Sequence, residues 1–247
     1  FVPCQPVSLT GPDNACARTF LGKAGLHLYR RPLTDEELDL RVNAAAEATK
    51  VLGDFYQGVA LSLGGMLTSS QFLFRQETTE PDPDRPGQYR LNAYSIAERL
   101  SFFLWNGPPD PELLDAAESG ELHTAEGLNA EVERMLSSAR LEAGMRAFFD
   151  DMLGFDEFNS LAKDPLVYPM VTGSTLRDAR EQTLRTIISH LLNEDKDYRD
   201  LFTTRNTFMS PSLAVIYGTP SSEGWVAHTF ADDSPRIGLL TQVSFLA

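Results

Sequence analysis

The stretch NAYSIAERLSFFLWNGPPDPELLDAA, Asn92 to Ala117, reads as two helices with their punctuation in place. Asn92 is a helix-capping residue, Gly107-Pro108-Pro109 stops a helix, and Asp110 before Pro111 has the cap-then-proline order of a new start. Between the stops the apolar residues recur at helical spacing. Ile96, Leu100, Phe103 and Leu104 predict one core stripe, with Tyr94, Glu98, Ser101 and Trp105 on roughly the opposite side. A helix with two such faces is expected to be buried on both.

The same grammar extends in both directions. Residues Ala15 to Tyr29 predict a helix ended by Arg30-Arg31-Pro32, and Thr34 with Glu37 predicts a capping box for the next. A third helix is expected from Asp54 to Phe74. It carries Gly58, Gly64 and Gly65, and since a helical glycine costs about 1 kcal/mol against alanine, close approach of another backbone or a kink is expected there. TTEPDPDRPGQ (78–88) reads as an exposed connection. Further helices are expected near Glu112 to Ala117 and Ala125 to Ala139, then a one-sided stripe of Leu141, Met145, Phe148, Phe149 and Met152. Leu153 to Gly173 reads as a long packed loop, Ser174 as the cap of a helix reaching Leu192, and Pro211 to Tyr217 as a short helix stopped by Gly218.

Trp225 to Phe230 is the one segment that reads as extended, because no window alternates apolar and polar residues over several positions. The expected fold is therefore all-α: a multi-helix irregular bundle with long loops and little or no sheet. The expected organisation is an N-terminal helical unit over 1–80, a main helical domain over 89–235, and at 236–247 the start of a further domain, truncated or continued in another chain. The terminal Phe245-Leu246-Ala247 is apolar and carries no stop signal.

A net charge of −14 argues against a nucleic-acid partner, whose phosphates repel such a surface. No window approaches the roughly 20 apolar residues that span a bilayer, so no membrane span is expected. Cys4 and Cys16 share a segment with the turn residues Pro6, Gly11 and Pro12, which favours a disulfide; two separate buried thiols are the alternative.

Catalytic signatures are few. The four histidines, His27, His123, His190 and His228, show no HxxxH or HExxH spacing, and no metal site is expected within the chain. His190 falls beside an apolar stripe and reads as a hydrogen-bonded core residue, whereas His123 and His228 fall in expected loops and are the candidate cofactor-binding residues. GxSxG, P-loop and GxGxxG patterns are absent from the sequence. Glu98 lies one turn from Tyr94 and two from Trp105, where desolvation would raise its pKa toward that of a general acid, and an ion pair with a nearby arginine is the competing reading. Glu98, Arg99 and Trp105 form the candidate catalytic set.

Six blocks carry a family resemblance: LYRRPLTDEEL (28–38), SSQFLFRQE (69–77), AERLSFFLWNGPPDPELLDAAESGEL (97–122), VERMLSSAR (132–140), NTFMSPSLAVIYGTP (206–220) and RIGLLTQVSFLA (236–247). In this order they resemble the domain-of-unknown-function group of large secreted planctomycete-type cytochrome c proteins. Arg30, Arg31, Arg75, Arg99, Trp105, Asp110, Glu181, Tyr217 and Arg236 match the group's pattern. Glu98 and Ser210-Pro211 depart from it, since a small residue and an Asn-Glu pair are typical there, so no group-wide site is carried onto those positions.

The resemblance implies export to the periplasm or the exterior. It also implies a haem c attached outside this chain, through a CxxCH motif in a C-terminal fragment or second chain that partners it. The expected function is the helical portion of an exported, c-type-haem-associated oxidoreductase. The alternatives are a non-catalytic binding or assembly module of a secreted complex, and a carboxylate-dependent hydrolase using Glu98.

Overall fold

The computed structural model describes residues 3–159, 161–220 and 223–246. Among these residues the fold is mostly helical, with eleven α-helices and two antiparallel two-stranded sheets. The chain forms two compact units, Phe1–Ser138 and Ala139–Ala247.

The first unit opens with the Cys4–Cys16 disulfide, Cα–Cα 5.7 Å, which ties the N-terminal segment to the start of α1 (Asn14–Tyr29). Asp13 caps α1 by accepting from the Ala15 and Cys16 amides. At the other end Arg30 takes the left-handed conformation, φ 57°, where glycine is the usual residue. α2 (Asp35–Leu52) begins with the expected capping box of Thr34 and Glu37, and α3 (Phe55–Leu67) packs along it. Leu21, Val42, Ala45, Phe55, Val59 and Met66 fill the core between these three helices.

The expected third helix does not run through to Phe74. It stops at Leu67 and resumes as the single turn α4 (Ser70–Leu73), because the Thr68 and Ser69 hydroxyls donate to the carbonyls of Gly64, Gly65 and Met66 and the chain turns there. The glycines of α3 have different reasons. A Cβ on Gly58 would stand 2.1 Å from Thr49 Oγ1 and 2.7 Å from the Ala45 carbonyl, so close approach to α2 demands glycine, whereas a Cβ on Gly64 would meet nothing within 4 Å.

The connection expected at 78–88 forms a hairpin inside the first unit. β1 (Thr79–Pro81) pairs with β2 (Tyr89–Leu91), Thr79 opposite Leu91, and the buried Asp82 organises the turn by accepting from the Asp84 amide and Arg85 Nε. α5 (Ala93–Trp105), capped by Asn92, then packs against α6 (Pro111–Ser119), capped by Asp110, and α7 (Ala125–Leu136). The expected faces of α5 are corrected in part. Phe103 is 76% exposed, and the side carrying Glu98, Ser101 and Trp105 is the buried one, because Arg30 and the Met135 carbonyl lie there to receive Glu98 and Trp105.

The second unit is built around α9 (Gly173–Ile188), which continues through Ser189–Asn193 as a turn of π-helix. Its cap is Thr172, not Ser174. α8 (Leu141–Met152) packs against α9 with Phe149 buried, although Phe148 and Met152 of the expected stripe are largely exposed. The expected packed loop before α9 holds a short 3-10 helix, Phe155–Asn159, that buries Phe155, while Leu166, Val167, Tyr168 and Met170 stand exposed.

β3 (Asn206–Met209) pairs antiparallel with β4 (Val226–Thr229), with α10 (Pro211–Tyr217) between them and α11 (Val243–Leu246) near the end. Three extended segments beyond the one expected are thus present. Each strand is only three or four residues long, too short for alternation to show in the sequence. The face of α9 beneath this hairpin is polar and buried. Gln182 Nε2 donates to the Phe208 carbonyl at 2.8 Å, Tyr217 donates to Gln182 Oε1 at 2.8 Å, and Thr183 donates to Gln242 Oε1 at 2.6 Å.

Opposite responses are expected from two glycines of one helix. Gly58→Ala should destabilise by about 1–3 kcal/mol through overpacking, and Gly64→Ala should stabilise by up to about 1 kcal/mol, read as shifts of the urea midpoint in opposite directions. Reduction of Cys4–Cys16 is expected to cost about 3 kcal/mol in the chain-entropy account. A midpoint that dithiothreitol lowers in the wild type and leaves unchanged in a Cys4→Ser, Cys16→Ser variant verifies it.

Candidate functional site

The first unit converges on Arg30, whose side chain is almost wholly buried. A guanidinium carries five N–H donors in a planar fork and cannot be deprotonated in a protein. Nε donates to Glu98 Oε1 at 2.6 Å, Nη1 to the Leu28 and Phe72 carbonyls at 3.1 and 3.4 Å, and Nη2 to the Gln71 and Phe74 carbonyls, each at 2.9 Å. These carbonyls belong to the last turn of α1 and to the turn and exit of α4, where helix ends leave acceptors unmatched. One side chain thus closes two helix ends and reaches α5.

Glu98 is 6% exposed. Burial pushes its carboxyl above the ordinary glutamate value, and the Arg30 charge, with Arg75 further off, opposes that rise without cancelling it. The arginine pairing read from the sequence and the raised pKa are therefore both present in one carboxylate. The cleft beside it, bordered by Tyr29, Gln71, Thr78 and Tyr94, has a volume of about 20 Å³, room for a water molecule and not for a substrate.

Arg30 also borders a larger concavity on the same unit. This groove, about 750 Å³, has walls from Leu28, Phe72, Leu73, Phe74, Phe102 and Pro108, with Arg75 and His27 completing its lining. The Arg75 guanidinium lies 5.1 Å from the centroid of the Phe102 ring. Leu73 and Phe74 are 59% and 63% exposed, and Phe103 next to Phe102 is exposed as well. The groove was not legible from periodicity. The only sequence signal for it is FLFR (72–75), an apolar run set directly against an arginine.

The other residues singled out from the sequence have distinct settings. Arg99 is exposed and makes a two-pronged pair with Glu77, at 2.8 and 2.9 Å. Trp105 is buried between α5 and α7; its indole donates to the Met135 carbonyl at 3.0 Å and the Arg134 guanidinium lies 5.6 Å from the ring. Arg134 in turn holds Asp110, which caps α6. Glu98, Arg99 and Trp105 thus each engage a different partner.

His123 lies in a 3-10 turn, 3.6 Å from the Glu80 carboxylate, with Nδ1 buried and making no hydrogen bond. His228 lies in the second unit, on β4, where its ring meets Phe230 edge-on at 4.8 Å. It lines a separate cavity of about 210 Å³ together with His190. His190 is buried and hydrogen-bonded to the Asp197 carbonyl, as expected of it. Among the described residues no three His, Cys, Asp or Glu side chains gather as a metal-ligand set, and no helix is long and apolar enough to cross a membrane.

Residues 91–219 match the model of a family described as protein of unknown function, DUF1592. The chain belongs to this family. Residues 16–77 match a second model, also of unknown function, DUF1595. Neither a curated protein nor a solved structure matches the chain. The DUF1595 segment covers α1 to α4, and the DUF1592 segment runs from Leu91, at the end of β2, through α10 and spans the division between the two compact units. Arg30 and Glu98 fall one in each segment, so their pair joins the two family regions within the first unit.

Arg30→Met keeps the apolar stem and removes every donor, leaving Glu98 buried without its cation. The expected loss of stability is about 3–5 kcal/mol at neutral pH. A carboxyl whose folded pKa is raised stabilises the fold below its unfolded value and loses that contribution as pH rises through the folded one. The variant's deficit should therefore shrink at about pH 4, near the ordinary glutamate value, while the part due to the four carbonyls persists. Equal deficits in urea unfolding at the two pH values would remove Glu98 as the cause.

Proposed function

We propose that the chain is the helical portion of an exported, c-type-haem-associated oxidoreductase, and that the groove of the first unit receives the edge of a haem carried by a following segment or a second chain. The observation that carries this reading is the groove itself. It combines aromatic and aliphatic walls with Arg75 and His27. A haem edge is a flat apolar surface bearing two carboxylates, and that lining is complementary to both parts.

The fit is to the periphery of a haem. The chain has two cysteines and they are joined to each other, so covalent attachment through a CxxCH motif belongs to the partner. Neither His123 nor His228 lines the groove, and His27 is the histidine that does. When bound, the haem supplies the one-electron chemistry. The chain's own residues would orient it: Phe72, Phe74 and Phe102 cover apolar surface and exclude water, Arg75 pairs with a propionate, and Arg30 holds the α4 carbonyls that fix the groove's shape.

Two further observations support the reading. The Cys4–Cys16 disulfide suits an oxidising compartment, hence a periplasmic or secreted protein. The six sequence blocks resemble those of secreted cytochrome c proteins, in which a haem segment commonly follows. The hydrolase alternative finds no favouring observation, because the space beside Glu98 is water-sized.

The test uses the full-length natural protein together with any chain that co-purifies. A pyridine haemochrome spectrum of c type is expected, and Arg75→Glu with Phe102→Glu is expected to shift the haem midpoint potential and raise haem accessibility to a hydrophilic reductant. Absence of covalent haem from every chain of the preparation overturns the reading, as does a haem whose potential and accessibility ignore both substitutions.

A further inference from the structure

We propose that the cavity of the second unit, between the π turn of α9 and the β3–β4 hairpin, is a binding site for a small neutral polyhydroxylated molecule of monosaccharide or polyol size. Its volume is about 210 Å³, below the roughly 300–1,000 Å³ of pockets for drug-sized ligands.

His190 supplies the first argument. It is 4% exposed and lies in the π turn Ser189–Asn193, a geometry that re-aims side chains and recurs at functional sites. Its Nε2 lies 3.0 Å from the Asp197 carbonyl, which can only accept, so Nε2 carries the hydrogen. In the neutral ring Nδ1 is then an acceptor, and among the described residues it has no hydrogen-bond partner. A buried histidine that lines a cavity, with one nitrogen fixed by backbone and the other unused, is arranged to receive a donor from a ligand.

The hairpin supplies the second. Thr207 and His228 are cross-strand partners, so their side chains share one face of the sheet. Thr207 meets Thr186 of α9 at 3.0 Å and accepts from Gln242 Nε2 at 3.2 Å, which seats that face on the helix. His228 is held edge-on by Phe230 and its ring makes no hydrogen bond among the described residues. Two histidines from separate elements therefore line one cavity with hydrogen-bonding capacity to spare.

The remaining lining selects the charge of the occupant. Asn206 uses Oδ1 to accept from Thr229, leaving its amide N–H groups as donors. Glu194 accepts from Ser189 and Lys196, and the Lys196 ammonium holds its carboxyl below the ordinary range. An ionised carboxylate opposes an anion, and its own lysine removes the attraction for a free cation. Donors and acceptors side by side, with the one carboxylate already paired to its lysine, match hydroxyl groups, which serve as both.

The test is long-range ¹H–¹⁵N NMR of histidine-labelled protein titrated separately with myo-inositol, D-glucose, inorganic phosphate and ethanolamine. Saturable shifts of the His190 and His228 ring nitrogens with at least one of the two neutral polyols are expected. His190→Phe and His228→Gln should each weaken that binding at least tenfold. Thr229→Val, a change at the exposed end of the hairpin, should weaken it less and serves should His190→Phe fail to fold. No saturable response to either polyol overturns the proposal; so does a response confined to phosphate, which makes this an anion site, or to ethanolamine, which makes it a cation site.

Discussion

A buried guanidinium with every N–H engaged is a demanding object. Removing Arg30 from water costs several kcal/mol, and the cost is offset only when a carboxylate and well-placed carbonyls stand ready together. The fold meets that condition by bringing the end of α1, the turn of α4 and the buried side of α5 to one point. A register shift in any of the three would strand a charge or a row of helix-end carbonyls. The pair therefore adds little net stability against apolar replacement of both partners together, yet it discriminates strongly against other arrangements of the same helices.

The second unit achieves similar discrimination without charge. Gln182, Thr183, Thr186, Thr207 and Gln242 are buried, and each finds a partner across α9, the β3–β4 hairpin or the C-terminal segment. Apolar side chains of similar volume could slide past one another; these cannot without losing hydrogen bonds in a low-dielectric interior. Tyr217 extends the network, donating to Gln182 and accepting from the Val243 amide, while Arg236 lies over its ring. A pair of four-residue strands becomes a fixed wall by this means.

Much of the helical framework was legible because its signals are local. Thr34 with Glu37, Asn92, Asp110 before Pro111, and Gly218 each act within a turn of their own position, and each does in the structure what its chemistry predicts. Competing local signals blur the reading: Thr172, Ser174 and Thr175 can all cap, and the hydroxyl that bonds the Thr175 amide is that of Thr172. Long-range partners are harder still. Nothing in the spacing of α5 says that the side with Glu98 faces inward, because the reason is an arginine 68 positions away. Arg30 ends α1 where Arg30-Arg31-Pro32 predicts the stop, but its left-handed conformation and its contacts with α4 and α5 carry no local signal. The groove and the His190 cavity share this property, since each is assembled from segments distant in sequence.

The position of Arg30 couples properties that the sequence treats separately. Its guanidinium borders both the water-sized cleft beside Glu98 and the apolar groove, and it bonds the Phe72 and Phe74 carbonyls whose side chains form the groove wall. The charge state of Glu98 acts directly on that guanidinium. A neutral Glu98 would leave the cation dependent on its four carbonyls, strengthening its hold on α4, while an ionised one draws it toward α5. Glu98 is thus neither an isolated acid nor an inert structural residue. It is the counter-charge of the guanidinium that bonds the Phe72 and Phe74 carbonyls, and so it bears on the groove wall through Arg30 without lining the groove itself.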